Sequence, residues 1–127
     1  MRLLRRGLVL AGVLTALAGS AAAQPATGRY GLIGKMLAQP GKRDELIAIL
    51  MDSGGAGMPG CLSYVVAKDA KDDNGIWITE VWDDKASHDA SLKLPAVQAA
   101  IARARPLIAG FSDSHETIAV GGIGLPR

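Results

Sequence analysis

Two hydrophobic periods alternate along this chain, and each change of period marks an element. Residues 1–23 stand apart. Arg2, Arg5 and Arg6 precede an apolar run from Gly7 to Ala18, and the small residues Ala21-Ala22-Ala23 follow. A run this short does not span a bilayer, and with its basic start and small-residue end it reads as a cleavable export leader with the mature chain starting at Gln24. Residues 30–37 are densely apolar and close on Gln39-Pro40-Gly41, which predicts a strand and its turn. From Lys42 the spacing becomes helical: Leu46, Ile47, Ile49, Leu50 and Met51 follow a charged first turn, so a helix is expected to about Ser53, stopped by Gly54-Gly55-Ala56-Gly57.

Residues 62–67 and 76–82 are β-rich runs joined by a polar connection ending in Asn74-Gly75, a hairpin signal. Alternation puts Trp77, Thr79 and Val81 on one face of the second run and Ile76, Ile78, Glu80 and Trp82 on the other. Asp83 or Asp84 can cap a short helix to about Leu92. Pro95 opens another, whose Val97, Ala100, Ile101 and Ala104 form one stripe, and Pro106 ends or kinks it. Residues 115–120 alternate as a last strand, and 121–127 reads as a flexible tail.

The order strand, helix, strand, strand, helix, strand predicts a ferredoxin-like α+β domain: a split βαβ (βαββαβ) antiparallel sheet with helices on one face. The expected organisation is a signal peptide at 1–23, a linker at 24–28, one domain at 29–120 and the tail at 121–127. Both faces of the hairpin carry apolar groups. A sheet covered by helices on one face alone therefore needs a partner on the other, and a second copy of the chain is the expected one.

Composition narrows the partners. The 14 Lys plus Arg, less the three leader arginines, leave 11 against 12 Asp plus Glu, a formal charge of −1 on the mature chain. No basic run is present, so neither nucleic acid nor an anionic membrane is expected as a partner. The leader points to the periplasm or the medium, and because no Cys follows its apolar run a lipoprotein anchor is not expected. The single cysteine, Cys61, excludes an internal disulfide and a thiolate metal cluster.

Candidate chemistry is sparse. No metal-ligand spacing links His88 and His115, so no metal is expected. No Gly-x-Ser-x-Gly elbow occurs, and Cys61 has no neighbouring base to form a thiolate, so it reads as a small buried hydrophobe. His88 is the candidate of interest, because a neutral-range titrating ring suits proton transfer. Of the five aromatic residues, Tyr64, Trp77, Trp82 and Phe111 belong to the half of the chain that contains it. An aromatic-lined cleft with one titratable ring suits a polycyclic phenol or quinol, and ordinary core packing accounts for the same residues.

Residues 30–111 resemble the antibiotic biosynthesis monooxygenase domain family, which includes quinol monooxygenase-like proteins. The resemblance is carried by Pro40-Gly41-Lys42, by Met58-Pro59-Gly60-Cys61-Leu62-Ser63-Tyr64 and by Glu80-Val81-Trp82-Asp83-Asp84-Lys85-Ala86. It implies a dimeric α/β-barrel with the two sheets facing each other, a cavity between sheet and helices, and oxygenation of quinols or anthrones without a cofactor. One departure stands out: many relatives carry a histidine where this chain has Ser91, and His88, three residues earlier on the same predicted helix face, is the substitute available here. Haem degradation, the chemistry of another branch, is disfavoured, since Ser91 also stands at that branch's tryptophan and no histidine follows between Pro95 and Arg105.

The expected function is therefore an exported, cofactor-independent monooxygenase acting on a small aromatic substrate and O2. His88 is its catalytic proton acceptor, and Tyr64, Trp77, Trp82 and Glu80 are its substrate-binding residues. The alternative from another class is a non-catalytic protein that holds a small apolar aromatic in the same cavity.

Overall fold

The chain folds as β1 (Arg29–Ala38), α1 (Arg43–Ser53), β2 (Cys61–Lys68), β3 (Gly75–Trp82), α2 (Lys85–Ser91), α3 (Pro95–Ala104) and β4 (Ile108–Ala119), with a 3₁₀ turn at Arg105–Leu107 leading into β4. The structure is a computed structural model and describes residues 28–53 and 57–126. The leader expected at 1–23, the linker up to residue 27 and residues 54–56 of the glycine-rich stop lie outside the described residues. No described helix is long and apolar enough to cross a membrane.

The strands form one open antiparallel sheet in the order β2-β3-β1-β4, the ferredoxin-like α+β arrangement. Its register sorts the side chains. Met36 stands opposite Ile76, Leu32 opposite Glu80 and Tyr30 opposite Trp82, while Tyr64 on β2 also faces Glu80. Directly opposed residues share a face, so one side of the sheet carries Met36, Ile76, Tyr64, Glu80 and Trp82. Leu46 of α1 and Ala104 of α3 pack there against Met36, Ala38 and Ile76, and this is the buried core. The other side carries Ile33, Lys35, Val65, Trp77 and His115 and is left uncovered by the helices.

Local chemistry sets the helix ends. Asp44 and Glu45 occupy the first turn of α1, where carboxylates are favoured by the helix dipole. Asp84 caps α2, its Oδ1 accepting from the Ser87 N–H at 2.7 Å. Gly60, at φ +82°, lets the start of β2 press against that helix, since a Cβ there would lie 2.6 Å from Ser87 Cβ.

Two local expectations differ from the structure. β4 begins at Ile108, well before residue 115. The stretch with Gly110, Ser112, Asp113 and Ser114 has weak strand propensity, but β1 recruits it by main-chain pairing with register slips after Lys35 and Leu37. The β2–β3 hairpin forms, yet Asn74-Gly75 is not its turn, because neither residue has the positive φ that a type I′ turn requires. Asp69 organises the loop instead. Its Oδ1 accepts from the N–H of Lys71 and Asp72 at 2.9 and 2.8 Å, and its Oδ2 from Trp77 Nε1 at 2.7 Å. Lys35 Nζ lies 3.3 Å from Asp69 and 3.2 Å from Asp72. Those backbone donors first, then the indole and the lysine, hold the Asp69 carboxyl well below the usual carboxylate range.

Candidate active site

The functional side chains gather between the helix-covered face of the sheet and the α2–α3 segment, around a cavity of about 510 Å³, within the ~300–1,000 Å³ usual for small-molecule sites. β3 supplies Glu80 and Trp82, two residues apart and therefore on one face, and β2 supplies Tyr64 opposite Glu80. α2 follows β3 after two residues, so the Asp84 cap aims His88 back over the strand it has just left. The His88 ring meets Trp82 edge-on at 5.4 Å between centroids and Tyr30 at 5.2 Å.

His88 Nε2 stands 3.6 Å from Glu80 Oε2, and both side chains are largely buried at 14% and 13% exposure. That separation lies just beyond a hydrogen bond, so neither group is committed to the other and a ligand hydroxyl lying beside the pair can reach both. On its other side His88 Nδ1 lies 3.2 Å from Asp89 Oδ1, which orients the ring. Glu80 accepts from Trp82 Nε1 at 3.2 Å. Burial pushes the Glu80 carboxyl up, opposed by the indole N–H and by His88. Burial likewise pushes the Tyr64 phenol up to about 12, with Glu80 and Cys61 adding to the shift. Tyr64 therefore stays a protonated donor at any neutral pH. Ser91, 4% exposed, donates its Oγ–H to the His88 carbonyl at 2.6 Å and keeps only acceptor capacity toward the cavity.

Away from this polar end the walls are apolar, with Met36, Leu50, Ala100 and Ile108 among them, and Leu92, Ile101 and Phe111 line the cavity while exposed to solvent. The structure thus brings together four of the residues expected from sequence: Tyr64, Glu80, Trp82 and His88. Trp77 is a correction: it points to the open face of the sheet, tethered to Asp69, because residues adjacent to Ile76 and Ile78 on β3 face the opposite way. Sequence reasoning did not assign Tyr30, Asp89 or Arg105 to the site. Tyr30 reaches His88 only through the β1–β3 pairing, which no local pattern signals. Cys61 lies outside the cavity lining, its thiol pushed up by burial. His115 is on the open face of β4, away from His88, and among the described residues no three His, Cys, Asp or Glu side chains cluster as metal ligands.

The family model for antibiotic biosynthesis monooxygenase matches residues 29–103. The chain belongs to the antibiotic biosynthesis monooxygenase family. A Chloroflexus aurantiacus J-10-fl protein, described as a candidate antibiotic biosynthesis monooxygenase, is 63% identical, with a TM-score of 0.74 over 77% of this chain and 99% of that one. A Pseudomonas aeruginosa protein shares the fold at 19% identity and TM-score 0.65, covering 74% of this chain and 96% of its own. A Caulobacter crescentus CB15 protein, also described as a candidate monooxygenase of this family, does so at 20% identity and TM-score 0.63, over 75% and 91%. No curated protein gives a match. Family membership supports a monooxygenase-like function.

Proposed function

We propose that the protein is an exported, cofactor-independent monooxygenase that oxidises quinol- or anthrone-like electron-rich aromatics with O2. The observation that carries this reading is the largely buried Glu80–His88 pair, 3.6 Å apart, at the polar end of an otherwise apolar cavity. A substrate hydroxyl set beside the two groups gives its proton to the pair, and Tyr64 O–H donates to the oxygen left behind. The resulting electron-rich anion passes electrons to dioxygen within the largely apolar cavity. For a quinol the balance closes without an added reductant: one oxygen atom enters the ring to give a hydroxyquinone, the other leaves as water, and all four electrons come from the substrate. Trp82 and the apolar walls hold the ring system.

The test is oxygen uptake by residues 24–127 against hydroquinones, naphthoquinols and anthrones, with a metal chelator and no flavin. Uptake above the autoxidation rate is expected. No uptake, together with a co-purifying aromatic that stays unchanged in air, would replace this reading by that of a non-catalytic binding protein.

Export rests on the leader pattern of residues 1–23 and implies a periplasmic or secreted enzyme. We also propose that the enzyme is a homodimer in which a second copy covers the open face of the sheet, forming the dimeric α/β-barrel. Val65, 54% exposed on the edge strand β2 of that face, is an apolar residue such a copy would cover. Sedimentation is expected to give twice the chain mass, and Val65→Lys to shift the equilibrium toward monomer. A wild-type monomer at high micromolar concentration refutes the dimer.

A further inference from the structure

The two ends of the cavity differ in charge. The Glu80–His88 end carries a carboxylate and an imidazole, with Ser91 offering only an acceptor. The opposite end is reached along α3, whose Val97, Ala100, Ile101, Ala104 and Arg105 all line the cavity. Their spacing of three and four residues stands them on one side of the helix, and at ~1.5 Å per residue the row runs roughly 12 Å. The sheet floor agrees: it extends from Glu80, opposite Leu32, to Ile108, opposite Ala38, roughly 20 Å at ~3.3 Å per residue. The cavity is long, its middle is apolar, and Arg105 stands at its far end.

Arg105 is the one permanent cation among the described lining residues. Its neighbour Arg103 is held by Asp52 at 3.8 Å, whereas the Arg105 guanidinium has no acidic or hydrogen-bonding partner among the described residues. It is exposed, at the cavity's edge, and free to meet a ligand. A guanidinium is always charged and offers a planar fork that fits a carboxylate in two parallel hydrogen bonds. The reverse orientation is disfavoured, because a ligand carboxylate entering at the other end would face the largely buried Glu80 carboxylate.

We propose that the cavity selects an elongated apolar ligand bearing a carboxylate, with that anion held by Arg105 and a hydroxyl at the other end of the ligand held beside the Glu80–His88 pair. The hydroxyl's role as proton donor rests on the monooxygenase reading above; the carboxylate's recognition by Arg105 does not. The substrate is then an amphiphilic hydroxyaryl acid, and its polar ends fix which way round it enters.

The test is calorimetric titration of the purified protein with (hydroxyphenyl)decanoate and with its neutral carboxamide. The carboxylate is expected to bind roughly tenfold more tightly, the scale of one hydrogen bond to a charged group. Arg105→Gln is expected to weaken carboxylate binding to the level of the amide and leave the amide unchanged, and Arg105→Lys to retain part of the preference. Equal affinities in the wild type, a preference that survives in Arg105→Gln, or no binding of either probe overturns the proposal. Oxygen uptake on a neutral quinol separates the two readings. Turnover without carboxylate preference removes only the role of Arg105, and carboxylate preference without turnover on any quinol removes only the oxygenase.

Discussion

Replacing His88 with alanine is expected to lower kcat on the best quinol substrate by roughly a hundred- to ten-thousandfold, the contribution of a positioned general base, while the protein remains folded. The ring faces Glu80 at 3.6 Å and packs on Trp82 and Tyr30, so its loss removes the proton acceptor and opens the polar end of the cavity. His88→Gln keeps most of the side-chain volume and is expected to be nearly as slow, which separates chemistry from packing. Far-UV circular dichroism beside single-turnover kinetics checks both variants, and unchanged turnover would remove His88 from the mechanism. The pH profile carries the sign. Burial raises the Glu80 carboxyl, so the pair loses its acceptor capacity as pH falls through a value above that of a free glutamate. The rate is expected to drop on that acid side, and Glu80→Gln to remove the limb.

The largest stability effect is expected at Trp82. Its side chain is 1% exposed, wedged under His88, and its indole N–H satisfies Glu80. Trp82→Ala is expected to cost about 3–5 kcal/mol, the range for deleting a buried aromatic, which urea unfolding reads as a lower midpoint. Trp82→Phe separates the two roles of the ring. It keeps most of the packing and deletes the N–H, and because that hydrogen bond holds the Glu80 carboxyl down, the acid limb of the rate is expected to move to higher pH. A Phe variant as unstable as the Ala variant, with an unmoved acid limb, would mean that Trp82 acts through shape alone.

Much of this site was legible one residue at a time. The alternation across residues 76–82 separated Glu80 and Trp82 from Trp77, and the structure keeps that separation: the first two line the cavity and the third binds Asp69 on the open face. Asp83 and Asp84 were both legible as candidate caps, and the structure uses Asp84 to start the helix that carries His88. Tyr64 was expected in the site, but its pairing with Glu80 and its resulting donor character depend on the β2–β3 register. Arg105 carried no local signal. It follows Ala104 at the end of a small-residue stripe, and its place at the cavity's edge depends on how α3 lies across the sheet.

The sequence by itself determined the element order, the helix start at Pro95 and, to within a residue or so, those following Lys42 and the Asp83-Asp84 pair, the faces of β3 and the ferredoxin-like class, because periodicity, capping and proline geometry act within a few neighbouring residues. Only the tertiary structure decided that β4 begins at Ile108, that Asp69 rather than Asn74-Gly75 closes the hairpin, and that Tyr30, Glu80 and His88 converge. Each of these depends on contacts made by the folded chain. Weak strand formers become a strand when β1 supplies the missing hydrogen bonds, a carboxylate organises a loop when Lys35 and Trp77 lie beside it, and Glu80 meets His88, with the Tyr30 ring against the imidazole, when β1, β3 and α2 are packed together.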